Sequence, residues 1–218
     1  MRRLGLWDRG GAPLTILCLG AHADDIEIGC AGTLLRLLAE CRDVRCHWIV
    51  LSGGDSDARA SEARASARDL LGGAASAIEI QGFRDAFFPY CGEQVKKCFE
   101  ALKRQVQPDI VLTHYREDLH QDHRLVAELT WNTFRDHLIL EYEIPKYDGG
   151  LGSPNLFVPL SQEWVDRKVQ LLMTHFESQR SNPWYSAETF RGLLRIRGIE
   201  CNAPSGYAEA FYCRKFVV

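Results

Sequence analysis

The stretch that decides the fold runs from Leu14 to Leu38, LTILCLGAHADDIEIGCAGTLLRLL. Leu14 to Leu19 is an apolar run broken only by Thr15, which reads as a strand buried on both faces. From Glu27 to Glu40, Ile28, Leu34, Leu35 and Leu38 recur at helical spacing. Between strand and helix stand His22, Asp24 and Asp25, an imidazole and two adjacent carboxylates at the exit of a buried strand.

Outward from this stretch the alternation continues. Val44 to Leu51, VRCHWIVL, reads as a second strand, followed by the turn-like SGGDSD. A helix is expected over Ala60 to Leu71, ended by Gly72-Gly73, then a short strand over Ala77 to Ile80. Gln94 to Val106 reads as a helix stopped ahead of Pro108, Asp109 to Thr113 (DIVLT) as a strand, and Gln121 to Phe134 as a helix. Strands alternating with helices predict an α/β fold, a Rossmann-like, mostly parallel sheet flanked by helices, with right-handed crossovers. The C-terminal third is less regular. Leu138 to Leu160, rich in Pro, Gly and Tyr, is expected to carry loops and short edge strands. Trp164 to Phe176 and Ala187 to Arg197 are expected to be helical, and Ala208 to Val217 a late strand. Without repeats or a convincing linker, residues 1–218 read as one domain.

Composition narrows the function. Of 218 residues, 46% are hydrophobic and 25% charged, with a net charge of -3, which provides an ample core and no basic footprint for nucleic acid. No apolar run approaches the roughly 18 residues of a membrane span. The start, MRRLGLWDRGGAPLTILCLG, leads straight into the first strand and is read as that rather than as a signal peptide. None of the eight cysteines forms a CxxC pair, which excludes a zinc ribbon and predicts free thiols in a reducing compartment, the cytoplasm.

In an open α/β sheet, ligands bind beyond the carboxyl ends of the strands. Two such ends are dense in ligand-type side chains. One is His22-Ala23-Asp24-Asp25; the other is THYREDLHQDHR, Thr113 to Arg124, which brings His114, Asp118, His120, Asp122 and His123. A catalytic zinc takes three N/O ligands and leaves one position for water, and a second carboxylate must stand close by, off the metal, as base. Adjacent aspartates offer that division, since neighbours in a tight turn point different ways. Taken singly, either aspartate also reads as a helix N-cap, and His114 as a structural hydrogen-bonder. Taken together, the two clusters read as a shared metal site. The first turn has no G-x-G-x-x-G, which argues against a nucleotide.

These segments resemble the PIG-L/LmbE-like zinc-dependent N-deacetylase family. GAHADDIEIGCAGTL resembles its A-H-P-D-D signature, with Ala23 where the family usually has proline, and HQDH (His120 to His123) resembles its H-x-D-H element. Arg59 and Glu62, ahead of Leu71-Gly72, resemble an R-x-x-E element before an L-G helix end, and GYAEAF (Gly206 to Phe211) resembles a closing strand. The resemblance implies one Zn2+ per chain on His22, Asp25 and His123, other divalent metals being accepted. It implies Asp24 as general base, His120 as the group assisting the tetrahedral intermediate or the leaving amine, Asp122 as a residue orienting a histidine, and Arg59 as a substrate contact.

The implied reaction is hydrolysis of an N-acetyl or N-acyl group on an amino-sugar conjugate, giving a free amine and acetate. The alternative on the same site is hydration of an unsaturated dicarboxylic acid. The expected partner is a small N-acetylated sugar conjugate, with no nucleic acid and no membrane; a homo-oligomer is left open. Tyr142, Tyr147, Trp184, Tyr185 and Phe190 are candidates for stacking on a sugar, each also readable as core. Arg191, Arg195 and Arg197 are candidates for an anion site or a solvated face.

Overall fold

The computed structural model describes residues 12–217. The reading of the first eleven residues, and the outermost ends of the 1–218 domain, therefore lie outside the described residues.

The apolar run after Pro13 forms β1 (Leu14–Gly20), and the acidic turn after it opens directly into α1 (Asp25–Glu40). The chain continues through β2 (Val44–Ser52), α2 (Asp57–Leu71), β3 (Ala75–Phe83), α3 (Gly92–Gln105), β4 (Ile110–His114) and α4 (Gln121–Thr133). Then come β5 (Leu138–Tyr142), β6 (Leu156–Pro159), α5 (Gln162–His175), α6 (Ala187–Glu200) and β7 (Ala208–Tyr212). The seven strands form one sheet in the order β3-β2-β1-β4-β5-β7-β6. β3, β2, β1, β4 and β5 are parallel, and β7 runs antiparallel to both β5 and β6.

Both sheet faces are covered, as the near-continuous apolar run of β1 requires. Ile16 and Cys18 face a core completed by α1, α2, α5 and α6. Leu17 and Leu19 face a second core completed by α3 and α4. The strand order reverses between β1 and β4, which pair directly at Ile16–Ile110 and Cys18–Leu112. A crevice opens beyond the carboxyl ends of strands at such a switch point, and the segments following β1 and β4 are the two rich in ligand-type side chains.

Three features differ from the sequence reading. Leu138–Tyr142 is an interior strand between β4 and β7, not an edge, because β7 returns antiparallel to cover it. β7 ends at Tyr212, short of Val217. Arg197 is buried, its guanidinium held by Glu143 at 2.7 and 2.9 Å and by Glu200 at 2.8 Å. Arg191 pairs with Asp166 at 2.6 Å and Arg195 donates to the Gly206 carbonyl, so these arginines serve internal contacts.

The helix that carries Asp25 is locked from behind. The buried Glu209 carboxylate of β7 accepts from the Gly32 and Thr33 amides of α1 at 2.8 and 2.6 Å. Lys168 of α5 pairs with Glu209 at 2.6 Å and donates to the Ile28 carbonyl at the same distance. One ion pair thereby ties α1, α5 and β7 together. Among the described residues, no helix is long and apolar enough to cross a membrane.

Candidate metal centre

The turn after β1 is held on every side. Ser52, at the end of β2, donates to the Ala21 carbonyl through both its amide (3.0 Å) and its hydroxyl (2.8 Å). The Ala21 amide donates to His114 Nε2 at 2.9 Å. The His22 amide donates to Asp25 Oδ2 at 2.6 Å, and the Asp25 amide donates back to the His22 carbonyl at 3.4 Å. Ala23 is buried in this turn. The hydrogen bonds supply the stiffness that a proline at this position would give through its ring.

The turn projects His22 and Asp25 toward His123 in the first turn of α4. His22 Nδ1 lies 3.1 Å from His123 Nε2 and 3.3 Å from Asp25 Oδ2, while His123 Nε2 lies 3.5 Å from Asp25 Oδ1. A tetrahedral zinc with bonds of 2.0–2.1 Å separates its ligand atoms by about 3.3–3.4 Å. The two imidazoles are at that spacing, and each faces a different oxygen of the Asp25 carboxylate, so the donor chemistry and approach of these three residues suit a small divalent cation. His120, His22 and His123 also bring one ring nitrogen each within 4.8 Å of one another.

Charge in the cluster points the same way. Burial alone would push the Asp25 carboxyl up, but the His123, His114 and His22 imidazoles outweigh it and hold it well below the carboxylate range. Burial would lower His22 and His123; Asp25 raises both instead, aided by Asp122 and Asp85 on His22 and by Asp118 on His123. The pocket attracts positive charge, and a divalent cation would displace these protons.

Asp24 is set apart from this group. It occupies the N-cap position of α1, yet its side chain makes no capping bond. Its Oδ1 accepts from Arg59 Nη2 at 3.2 Å. Burial raises the Asp24 carboxyl, Arg59 opposes that, and Asp25 adds to it; the net shift is upward. Arg59 in turn donates to Glu62 at 3.2 Å and to Ser178 at 3.1 Å, and Ser178 donates to Glu62 from both amide and hydroxyl.

His120 caps α4, its Nδ1 accepting the Asp122 amide at 3.3 Å. With Nδ1 as acceptor, the neutral ring carries its proton on Nε2. Burial, then His123 and His22, lower its proton affinity, which keeps it neutral. The Asp122 carboxylate accepts the Ala86 amide at 2.7 Å and the Phe88 amide at 3.1 Å, and lies 3.3 Å from His22 Nε2. The carboxylate on His123 is Asp118, whose Oδ2 lies 3.1 Å from Nδ1, itself paired with Lys146 at 2.6 Å. Such carboxylate–imidazole contacts orient metal-binding histidines. His114, stacked on His123 with ring centroids 3.9 Å apart, is pushed down to about 4 by burial and by His123.

The sequence reading missed Asp85, which reaches His22 Nε2 at 2.9 Å from the segment after β3. Its one signal was its place just past a parallel strand end. Lys146 and Ser178 carried no signal at all. The aromatic expectation needs correction: Tyr142, Tyr185 and Phe190 are buried, with the Tyr142 hydroxyl donating to Leu19 O at 2.6 Å and that of Tyr185 to Leu172 O at 3.3 Å. Trp184 is partly buried against the same core. Of the five, Tyr147 is the exposed one.

The family model described as PIG-L, GlcNAc-PI de-N-acetylase, matches residues 17–134, over half of the chain and both clusters. The uncharacterized deacetylase YaiS of Escherichia coli (strain K12) is 27% identical over 170 residues, 73% of this chain and 89% of the relative. Among solved structures, the 4-carboxy-2-hydroxymuconate hydratase GalB of Pseudomonas putida KT2440 superposes with a TM-score of 0.76 at 19% identity, covering 94% of this chain and 98% of that one. The N,N'-diacetylchitobiose deacetylase of Pyrococcus horikoshii gives 0.67 at 21% identity, covering 90% and 82%. At these identities the solved structures speak for the fold.

Proposed function

The chain belongs to the PIG-L (GlcNAc-PI de-N-acetylase) family, and from that premise we propose that it is a zinc-dependent N-deacetylase acting on an amino-sugar conjugate. Membership and the deacetylase relative support an N-deacetylase, hence a hydrolase. The observation that carries the finer reading is the convergence of His22, Asp25 and His123, the two imidazoles 3.1 Å apart and each facing one of the two Asp25 carboxylate oxygens, at 3.3 and 3.5 Å, with Asp24 beside them but paired elsewhere.

In this reading His22, Asp25 and His123 hold one zinc per chain, and another divalent metal can replace it. Bound there, the metal supplies a Lewis acid that polarises the amide carbonyl and makes water acidic enough to attack at neutral pH. Asp24 takes the proton of the attacking water. Burial makes its carboxylate basic, while Arg59 keeps it ionised and aimed. His120, neutral with its proton on Nε2, would hydrogen-bond the developing oxyanion and so assist the tetrahedral intermediate, and the proton that Asp24 takes from water would pass on to the leaving amine. Asp122 holds the 84–88 segment against His22. Arg59 meets a substrate hydroxyl through the N–H groups left free by Asp24, Glu62 and Ser178. Residues 1–218 are taken as one domain, and the free cysteines support a cytoplasmic setting.

The test is release of free amine from a panel of N-acetylglucosaminyl conjugates by zinc-loaded protein, run beside unsaturated dicarboxylic acids assayed for loss of the double bond. Amine release supports the reading. Hydration without amine release would replace it with the hydratase alternative.

A further inference from the structure

The two histidines of the candidate metal centre are backed by carboxylates, and the backings differ. His22 Nε2 faces Asp85 and Asp122, and Asp122 is held by two backbone amides, those of Ala86 and Phe88. His123 Nδ1 faces Asp118, and Asp118 is met by a full cation, the Lys146 ammonium. Lys146 stands in the segment after β5, in a turn closed by the Gly149 amide donating to the Lys146 carbonyl at 3.1 Å.

The cation and the imidazole share one oxygen. Asp118 Oδ2 lies 2.6 Å from Lys146 Nζ and 3.1 Å from His123 Nδ1. The Lys146 and Asp118 side chains are 9% and 2% exposed, so water and salt screen little of the pair's charge. On the far side of the same ring, His123 Nε2 faces His22 and Asp25. Charge that Lys146 draws from Asp118 is therefore charge withheld from a metal ligand.

Asp118 is held in place without Lys146. Its other oxygen, Oδ1, accepts the His120 amide at 2.7 Å. Its amide donates to the Tyr115 carbonyl at 3.1 Å, and its carbonyl accepts from Arg124 at the same distance. Residues 115–124 thus fix both its backbone and its carboxylate. Without the ammonium, the carboxylate would still face His123, now with its full charge.

A carboxylate bonded to a ligand imidazole makes that imidazole a stronger donor. A stronger donor holds the metal more tightly and leaves it a weaker Lewis acid. We propose that Lys146, acting through Asp118, limits the charge that His123 passes to the metal, so that the metal is held less tightly and stays more electrophilic. The proposal rests on the metal-site reading of His22, Asp25 and His123 and is independent of the substrate.

The test reads zinc affinity, with no substrate present, by competition with a chromophoric chelator. Lys146→Met is expected to bind zinc about tenfold more tightly than the unaltered protein. Lys146→Arg, which keeps the charge, is expected to bind it as the unaltered protein does. In proton NMR of the zinc-loaded protein, the His123 Nδ1 proton is expected to move downfield in Lys146→Met, as its bond to Asp118 strengthens. Lys146→Gln, which keeps a donor and drops the charge, gives the same comparison should methionine unsettle the fold. Weaker zinc binding in the uncharged variants would overturn the proposal, since that is what removal of a mere brace for Asp118 does. Unchanged binding would overturn it too, as would Lys146→Arg matching Lys146→Met. A protein that shows these zinc shifts yet releases no amine would support the proposal and remove the deacetylase reading. An unaltered protein that binds no zinc would overturn the proposal together with the metal reading.

Discussion

Arg59 Nη2 lies 3.2 Å from Asp24 Oδ1, so the first of two adjacent aspartates faces a guanidinium while the second, Asp25, faces three imidazoles. Neighbours in sequence are thereby given opposite surroundings, which separates a metal ligand from a base. Asp25 is held ionised among histidines, as a ligand must be. Asp24 is buried, opposed by one cation and more basic than an ordinary aspartate, as a general base must be.

Asp24→Asn is expected to lower kcat by about 10²–10⁴-fold, the usual contribution of a general base. Zinc content measured by mass spectrometry is expected to stay the same. Loss of metal together with activity would place Asp24 among the ligands instead.

Arg59→Leu removes the cation that offsets the burial of Asp24. The Asp24 carboxyl then rises further, so the acidic limb of the kcat/KM profile moves to higher pH. Arg59→Lys, which keeps the charge but loses the fork, is expected to move it less. An unmoved acidic limb in Arg59→Leu would separate this contact from the base.

Asp118→Asn weakens the carboxylate contact to His123 Nδ1. A loss of about 10–100-fold in zinc affinity is expected, read by competition with a chromophoric chelator. Lys168→Met acts elsewhere. It leaves the buried Glu209 carboxylate without its cation, held only by the Gly32 and Thr33 amides, with an expected loss of about 3 kcal/mol in denaturant unfolding.

Glu27 is fully buried in α1, and burial pushes its carboxyl up to about 8 against a smaller opposing pull from Ser66. Between the ordinary carboxylate range and that value the folded protein holds a proton that the unfolded chain has released. Its contribution is therefore intact at low pH and is lost as pH rises toward 8. Glu27→Gln is expected to flatten the fall in stability across that window, measured by urea unfolding at pH 5 and pH 8.

Much of this was legible in the sequence because its signals are local. The apolar run of Leu14–Leu19 required a strand covered on both faces, and the residues past β1 and β4 fall at the switch point where the parallel sheet opens. The placement of β5 was not legible. Its neighbour β7 lies some 70 residues later, as the Glu141–Tyr212 pairing shows, and nothing in Leu138–Tyr142 announces it. Asp85 was missed because its aim depends on two amides bound by Asp122, a contact 36 residues away. The buried Tyr142, Tyr185 and Phe190 were candidates for sugar contacts. An aromatic residue in an irregular segment carries no mark of which way it faces.

The most direct test of the central claim measures zinc stoichiometry and amine release on the same samples of unaltered protein, His22→Ala and His123→Ala. One zinc per chain and release of amine from an N-acetylglucosaminyl conjugate are expected in the unaltered protein. Both are expected to be lost in each variant, while far-ultraviolet circular dichroism shows the fold retained. Variants that keep their zinc, or that release amine without it, would contradict a zinc site built on His22 and His123.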